Sequence, residues 1–224
     1  MRYERPDADH GRVVTVDIET TATDPSEGEL VAVGVGVHDR ARPLSDATYE
    51  LCHRRGDDEG RVIRRAMSWL DDADPDALVT YNGVGFDLPF VRGRLDRLGV
   101  DLDLPSVTEP PAHVDLFRDR KRRAEASGEP WPSLEACLEA YGYTPPRTVW
   151  RGERVTNERF GEEIGPAYLR TLGTDTGARL RATLSEVIDH YLRTDLEATL
   201  ALFAADVGAS VDAAYLGTER RFEG

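Results

Sequence analysis

The stretch "RVVTVDIET", residues 12 to 20, reads as a buried strand that spends two positions of one face on acids. Strand side chains alternate between faces, so Asp17 and Glu19 point to one side of the sheet while Val14, Val16 and Ile18 occupy the other. Two neighbouring carboxylates on one buried face repel each other and lose hydration. A divalent cation between them is the economical remedy. An apolar core on one side of this strand and a cation on the other is the strongest demand that the sequence makes.

The remaining segments supply strands first, then strand and helix in alternation, which is the pattern of an α/β domain with a central mixed five-stranded sheet flanked by helices. "ELVAVGVGVHD" reads as a second strand, joined to the first through a turn with Asp24, Pro25, Ser26 and Gly28, and "ATYELCHRR" as a third. Apolar side chains at 62, 63, 66, 67 and 70 predict a helix over 59–73, closed by Pro75 before the short strand "ALVTYN". The spacing 86, 90, 91, 95 and 98 predicts another from Phe86 to Leu98, with Pro89 in its first turn. "HVDLF" reads as a strand and "SLEACLEAYG" as a helix ending at Gly142. Residues 143–158, with Pro145 and Pro146 among many charges, have no assignable form, and a long helix runs from Thr176 to Ala205. At 224 residues the expectation is one domain over 12–205, with an N-terminal extension over 1–11 and a C-terminal tail over 206–224.

Composition narrows the function. The formal charge is -14, and all but one of the 28 basic residues are arginine, Lys121 being the exception. Such an acidic excess is expected of a protein kept in solution at high salt, as in a halophile. It also argues against nucleic-acid backbone binding, unless the acids at the site carry divalent metals. Cys52 and Cys137 have no paired spacing, which excludes a zinc knuckle or a disulfide framework, and no segment is long enough to span a membrane or act as a signal peptide. The expected location is cytoplasmic. The one basic cluster, "DRKRRAEASGE" at 119–129, reads either as a solvated helix end or as a rest for a phosphate backbone.

Two more acids interrupt apolar patterns. Asp87 in "YNGVGFDLPF" falls where a strand turns into a helix, and the first-turn amides there can orient its carboxylate; a plain helix cap is the other reading. Asp195 sits four residues after Tyr191, beside the stripe of Leu184, Ile188, Leu192, Leu196 and Leu200. "DIET", "NGVGFDLP" and "YLRTD" occur in an order that resembles the three motifs of the ribonuclease H-like 3'-5' exonucleases with four acids and a tyrosine (DEDDy-type). The chain is especially similar to the proofreading domain of family B DNA polymerases and to small stand-alone relatives, over about residues 12 to 205.

The resemblance implies catalytic residues Asp17, Glu19, Asp87, Tyr191 and Asp195, the four acids being ligands for two Mg²⁺ or Mn²⁺ ions. It implies hydrolysis of the terminal phosphodiester at a nucleic-acid 3' end, single strands preferred, with release of nucleoside monophosphates. Asn82 and Phe86 would contact the strand end, and Asp115 either recognises the substrate or makes a strand-end hydrogen bond. In this reading Asp17 bridges the ions, Glu19 helps orient the one carrying the nucleophile, and Tyr191 positions water or phosphate. Oxygen ligands suit these hard cations, whereas zinc usually recruits cysteine or histidine. No polymerase domain is expected. His190 lies five residues before Asp195, the spacing of a histidine-bearing branch; helix geometry and the three residues between Asn82 and Phe86 favour Tyr191. The alternatives are a structure-specific endonuclease or junction resolvase, and a non-catalytic nucleic-acid-binding module.

Overall fold

Five strands, β1 (Arg12–Thr20), β2 (Leu30–Asp39), β3 (Thr48–His53), β4 (Ala77–Thr80) and β5 (His113–Asp115), pair in the order β3-β2-β1-β4-β5. The computed structural model describes residues 1–173 and 177–223. β1, β2 and β3 form an antiparallel meander, and β1, β4 and β5 are parallel. The sheet is thus mixed, and the ribonuclease H-like α/β architecture expected from the sequence is the observed one. β1, β4 and β5 all end at the same edge, where loops and helix starts converge.

The helices are α1 (Glu59–Asp72), α2 (Asp87–Leu98), α3 (Leu116–Ser127), α4 (Leu134–Tyr141), the short α5 (Asn157–Arg159) running through a π-helical turn at Phe160–Ile164 into α6 (Gly165–Thr171), and α7 (Ala178–Asp206). α1 and α2 cover the face bearing Val14, Val16 and Ile18, which pack with Ile63, Leu70, Phe90 and Val91. α7 covers the other face. Its leucines 192 and 196 lie directly over Gly34, the cross-strand partner of Asp17; a Cβ there would sit 2.7 Å from Leu196 Cδ1 and 2.8 Å from Leu192 Cγ. Real Cβ atoms do not tolerate such distances. A bare position in β2 therefore lets α7 lie close against the strands that carry the acids.

Differences from the sequence reading have local causes. The strand at "HVDLF" stops at Asp115, because the Asp115 carboxylate accepts hydrogen bonds from the Phe117 and Arg118 amides and caps α3. The basic cluster lies inside that helix and is mostly spent internally. Arg120 is fully buried against Asp206, Lys121 lies 3.9 Å over the Trp131 ring, Arg122 pairs with Asp119, and Arg123 stacks on Tyr3. The unassigned segment after Gly142 supplies β6 (Arg147–Trp150) and β7 (Glu153–Arg154). The expected tail supplies β8 (Glu219–Phe222), which pairs parallel to β6 in a second, three-stranded sheet against α7. The proposed start of the last helix, Thr176, lies outside the described residues. Cys52 and Cys137 are buried and free, and among the described residues no helix is long and apolar enough to cross a membrane.

Replacing Gly34 by valine is expected to cost about 1–3 kcal/mol, the usual penalty for overpacking, by pushing α7 off the sheet. Urea unfolding of the variant measures the cost; wild-type stability would mean that the close approach is not needed.

Candidate metal centre

Three separate segments bring four acids to the edge where β1 ends. Asp17 and Glu19 share the α7 face of β1, as strand alternation requires. Asp195 comes down onto them from α7, and Asp87 opens α2 just after β4. One carboxylate oxygen from each of Asp17, Glu19 and Asp195 lies within 4.8 Å of the others, so these three could hold a metal ion. Glu19 and Asp87 are buried, and Asp17 and Asp195 half-buried. Among the described residues none of the four forms an ion pair with a basic side chain.

The electrostatics follow from that crowding. Burial pushes Asp17 well above the usual carboxylate range, and Asp195 adds to it. Burial again dominates at Glu19, followed by the charges of Asp17, Asp195 and Asp87. At Asp87 burial and Asp17 raise the affinity for a proton while its own backbone amide and that of Ile18 oppose them. Asp195 is pushed up to about 8, mostly by burial and then by Glu135, with Arg154 acting the other way. Such groups are stabilised either by protons or by a cation. Three oxygen donors without a basic partner fit a hard divalent ion. Asp87 stands outside the group of three yet close enough for its charge to act on Glu19.

Tyr191 is buried beside the acids, its ring stacked on Phe160 at 6.0 Å and its hydroxyl donating to Asn157 Oδ1 at 2.6 Å. Its proton affinity is raised by burial and by Asp195, Glu19 and Asp17 in that order. His190, one residue earlier, points away. Its Nδ1 meets Thr148 Oγ1 at 2.7 Å, its ring sits edge-on to Tyr215 and Phe222, and burial lowers its pKa to about 4. Beside Tyr191 and Asp195 runs a crevice of about 10 Å³, space for about one water, lined by Glu135 and Arg154, which pair at 3.0 Å.

The second motif forms a tight loop. Asn82 adopts a left-handed conformation at φ 73°, and its carbonyl accepts from the Gly85 and Phe86 amides. Asp115 ties this loop to β5, taking the Asn82 and Val84 amides at 3.0 Å each in addition to capping α3. All these bonds are to the main chain, which is the strand-end hydrogen-bonding role. Phe86 is half-buried against Phe90. Asn157, Phe160, Glu135 and Arg154 were missed in the sequence. The first two meet Tyr191 only because residues 157–164 fold back under α7, and no local pattern announces that.

A family model described as the RNase_H superfamily matches residues 14–162. The chain is similar to a DNA polymerase of Thermococcus aggregans, 32% identical over 151 residues that make up 58% of this chain and 8% of that one. It is 26% identical to a DNA polymerase of Pyrococcus horikoshii over 171 residues, covering 67% of this chain and 14% of the relative. The chain thus corresponds to a small part of the length of these curated relatives. In fold it is similar to the family B DNA polymerase from the hyperthermophilic archaeon Pyrobaculum calidifontis, with a TM-score of 0.55 and 21% identity over 88% of this chain and 24% of that chain.

A carboxylate whose folded-state pKa is raised holds its proton more tightly in the folded than in the unfolded chain, so its ionisation removes stability as pH rises. Without divalent ions, the cluster is therefore expected to lower stability between about pH 4 and about 8, the window set by the ordinary value and the raised value of Asp195. Mn²⁺ should restore it most at the alkaline end. Thermal unfolding across this range, with and without Mn²⁺, is the measurement; D17N and D195N should flatten both effects, and an unchanged Mn²⁺ response in both would remove them as ligands.

Proposed function

Because the chain belongs to the RNase H superfamily and gathers Asp17, Glu19 and Asp195 within reach of one cation, we propose that it is a divalent-metal-dependent nuclease of the 3'-5' exonuclease type. The cluster of unpaired acids is the observation that carries this reading. The similarity to family B DNA polymerases and the order of the three motifs support the choice of a free 3' end as substrate. Asp17, Glu19, Asp87 and Asp195 would hold two Mg²⁺ or Mn²⁺ ions, which when bound activate a water and offset the charge on the leaving 3' oxygen.

Asp17, whose charge acts on both Glu19 and Asp87, would be the shared ligand. Glu19, the more buried of the first pair, would help orient the ion that carries the nucleophile. Asp87, set apart from the three, would complete the second ligand set from the start of α2. Tyr191 gives its proton to Asn157, leaving its oxygen lone pairs to accept from the attacking water. It orients the water, and its high proton affinity keeps it from serving as a base. Asn82 and Phe86, on the loop held by Asp115, would contact the terminal nucleotides. Phe86 offers a half-exposed ring edge for a base. Cleavage releases nucleoside 5'-monophosphates, and the acidic composition argues for assay in molar salt as well as dilute buffer.

The test is a time course on 5'-labelled single-stranded DNA and RNA in Mg²⁺ or Mn²⁺, with a circular strand as the substrate lacking ends. A ladder shortening from the 3' end and an intact circle are expected; a cut circle would move the reading to an endonuclease. D17A and D195A should each lose more than about a hundredfold, since even outer partners of metal ligands cost that much. Tyr191→Phe is expected to lower kcat by about a hundredfold with KM little changed, the signature of an interaction made in the transition state. An equal rise in KM with intact kcat would assign Tyr191 to binding instead.

A further inference from the structure

A cavity of about 980 Å³ lies away from the acid cluster, beyond the free edge of β3, between α1, α6 and the first turns of α7. Its lining is basic in a chain that is otherwise strongly acidic. Arg55, Arg61, Arg65 and Arg181 face it together with His53 and Ser185, against Asp58 and Asp189 as the acids among the described residues. Arg65 is neutralised by Glu50, and Asp189 is engaged by His53 Nε2 at 2.6 Å. Arg55, Arg61 and Arg181 form no ion pair among the described residues.

Asp58 accepts the Arg55 backbone amide at 2.8 Å, and Arg181 spends one guanidinium nitrogen on the Thr171 carbonyl, leaving its other donors. The first turn of α7 carries no acidic residue and no side-chain cap, so the positive end of a 29-residue helix adds its field to the same space. Three like charges lining one cavity repel one another, and an anion seated among them would relieve that repulsion. Guanidinium forks match phosphate oxygens in shape and charge. The volume suits a nucleotide rather than a bare ion.

The opposite edge of the sheet sharpens the contrast. A groove of about 420 Å³ beside β5 also holds four arginines, Arg5, Arg92, Arg118 and Arg122, but all except Arg118 pair with Asp119 or Glu109. That groove pairs three of its four arginines with acids. Among the described residues, the cavity beside β3 pairs one of its four.

We propose that the cavity beside β3 is a second anion site that binds the phosphate group of a nucleotide through Arg55, Arg61 and Arg181. Its place is defined relative to the acids: His53 stands in cross-strand register with Ala32 and Glu19, two strands from the cluster and therefore about 10 Å from it. The Phe160–Ile164 turn and α6 pack over the sheet between them. The site thus needs no divalent ion and no turnover to be seen. It stands or falls independently of the exonuclease reading.

Isothermal titration in EDTA, with the full chain carrying D17N so that neither metal nor cleavage contributes, tests it with inorganic phosphate, a nucleoside 5'-monophosphate and a short 5'-phosphorylated oligonucleotide as probes. Saturable binding of the monophosphate is expected, weakened at least tenfold in R61Q/R181Q and in R55Q/R61Q. The second pair changes only exposed side chains and guards against a folding defect from losing the Thr171 contact. The charge-matched R118Q/R122Q, in the groove at the opposite edge of the sheet, should bind as the parent does. Tighter binding of the oligonucleotide than of the monophosphate would assign the phosphate to a strand, and the reverse to a free nucleotide. Equal losses in all three pairs, or no saturation by any probe, would overturn the site.

Discussion

Much of the molecule depends on how closely α7 can approach the sheet. At Gly34 there is no side chain to keep Leu192 and Leu196 away, and the residue paired with Gly34 across the strands is Asp17. The same contact that seals the α7 face of the sheet therefore sets the separation between Asp17 and Asp195. Hydrophobic packing and the acid cluster are one construction: apolar burial on both sides of the site supplies the free energy that holds like charges together. The charges repay none of it until something positive arrives.

Around the cluster, the neighbours divide between those that aim a side chain and those that aim the main chain. Asn157 and Phe160 hold Tyr191 by its hydroxyl and its ring, and Thr148 with two aromatic rings holds His190 in the opposite direction. Two consecutive helical residues end in unlike surroundings, one beside acids and one in an apolar corner between α7 and the small sheet. Asp115 works on the backbone alone, fixing both the Asn82 loop and the start of α3. An acid near this cluster can thus hold its shape while both of its oxygens are turned to amides.

What could be read from the sequence was what local periodicity encodes. The alternation in β1 placed Asp17 and Glu19 on one face, the helical stripe placed Asp195 beside Leu192 and Leu196, and the order of elements implied the mixed sheet. What escaped was what long-range pairing decides. The parallel partner of β6 is β8, some seventy residues further on, and "HVDLF" read as extended through Leu116 and Phe117, which the capping bonds of Asp115 make the first turn of α3. The basic run at 119–129 appeared to be a surface feature, but Arg120 needs Asp206 at the far end of α7 to be understood. Likewise the arginines beside β3 are scattered over 55, 61 and 181 and form a group only once α1 and α7 meet.

α7 presents four unlike environments within seven residues: Asp189 toward the basic cavity, His190 toward the small sheet, Tyr191 toward Phe160 and Asp195 toward β1. Each residue of an α-helix advances the facing direction by about 100°, so adding or deleting one residue in this stretch would turn every later side chain away from its partner. The helix can therefore vary in composition along its exposed line but not in length between these positions. Its reading frame, counted in angle rather than in codons, is as much a part of the site as the carboxylates themselves.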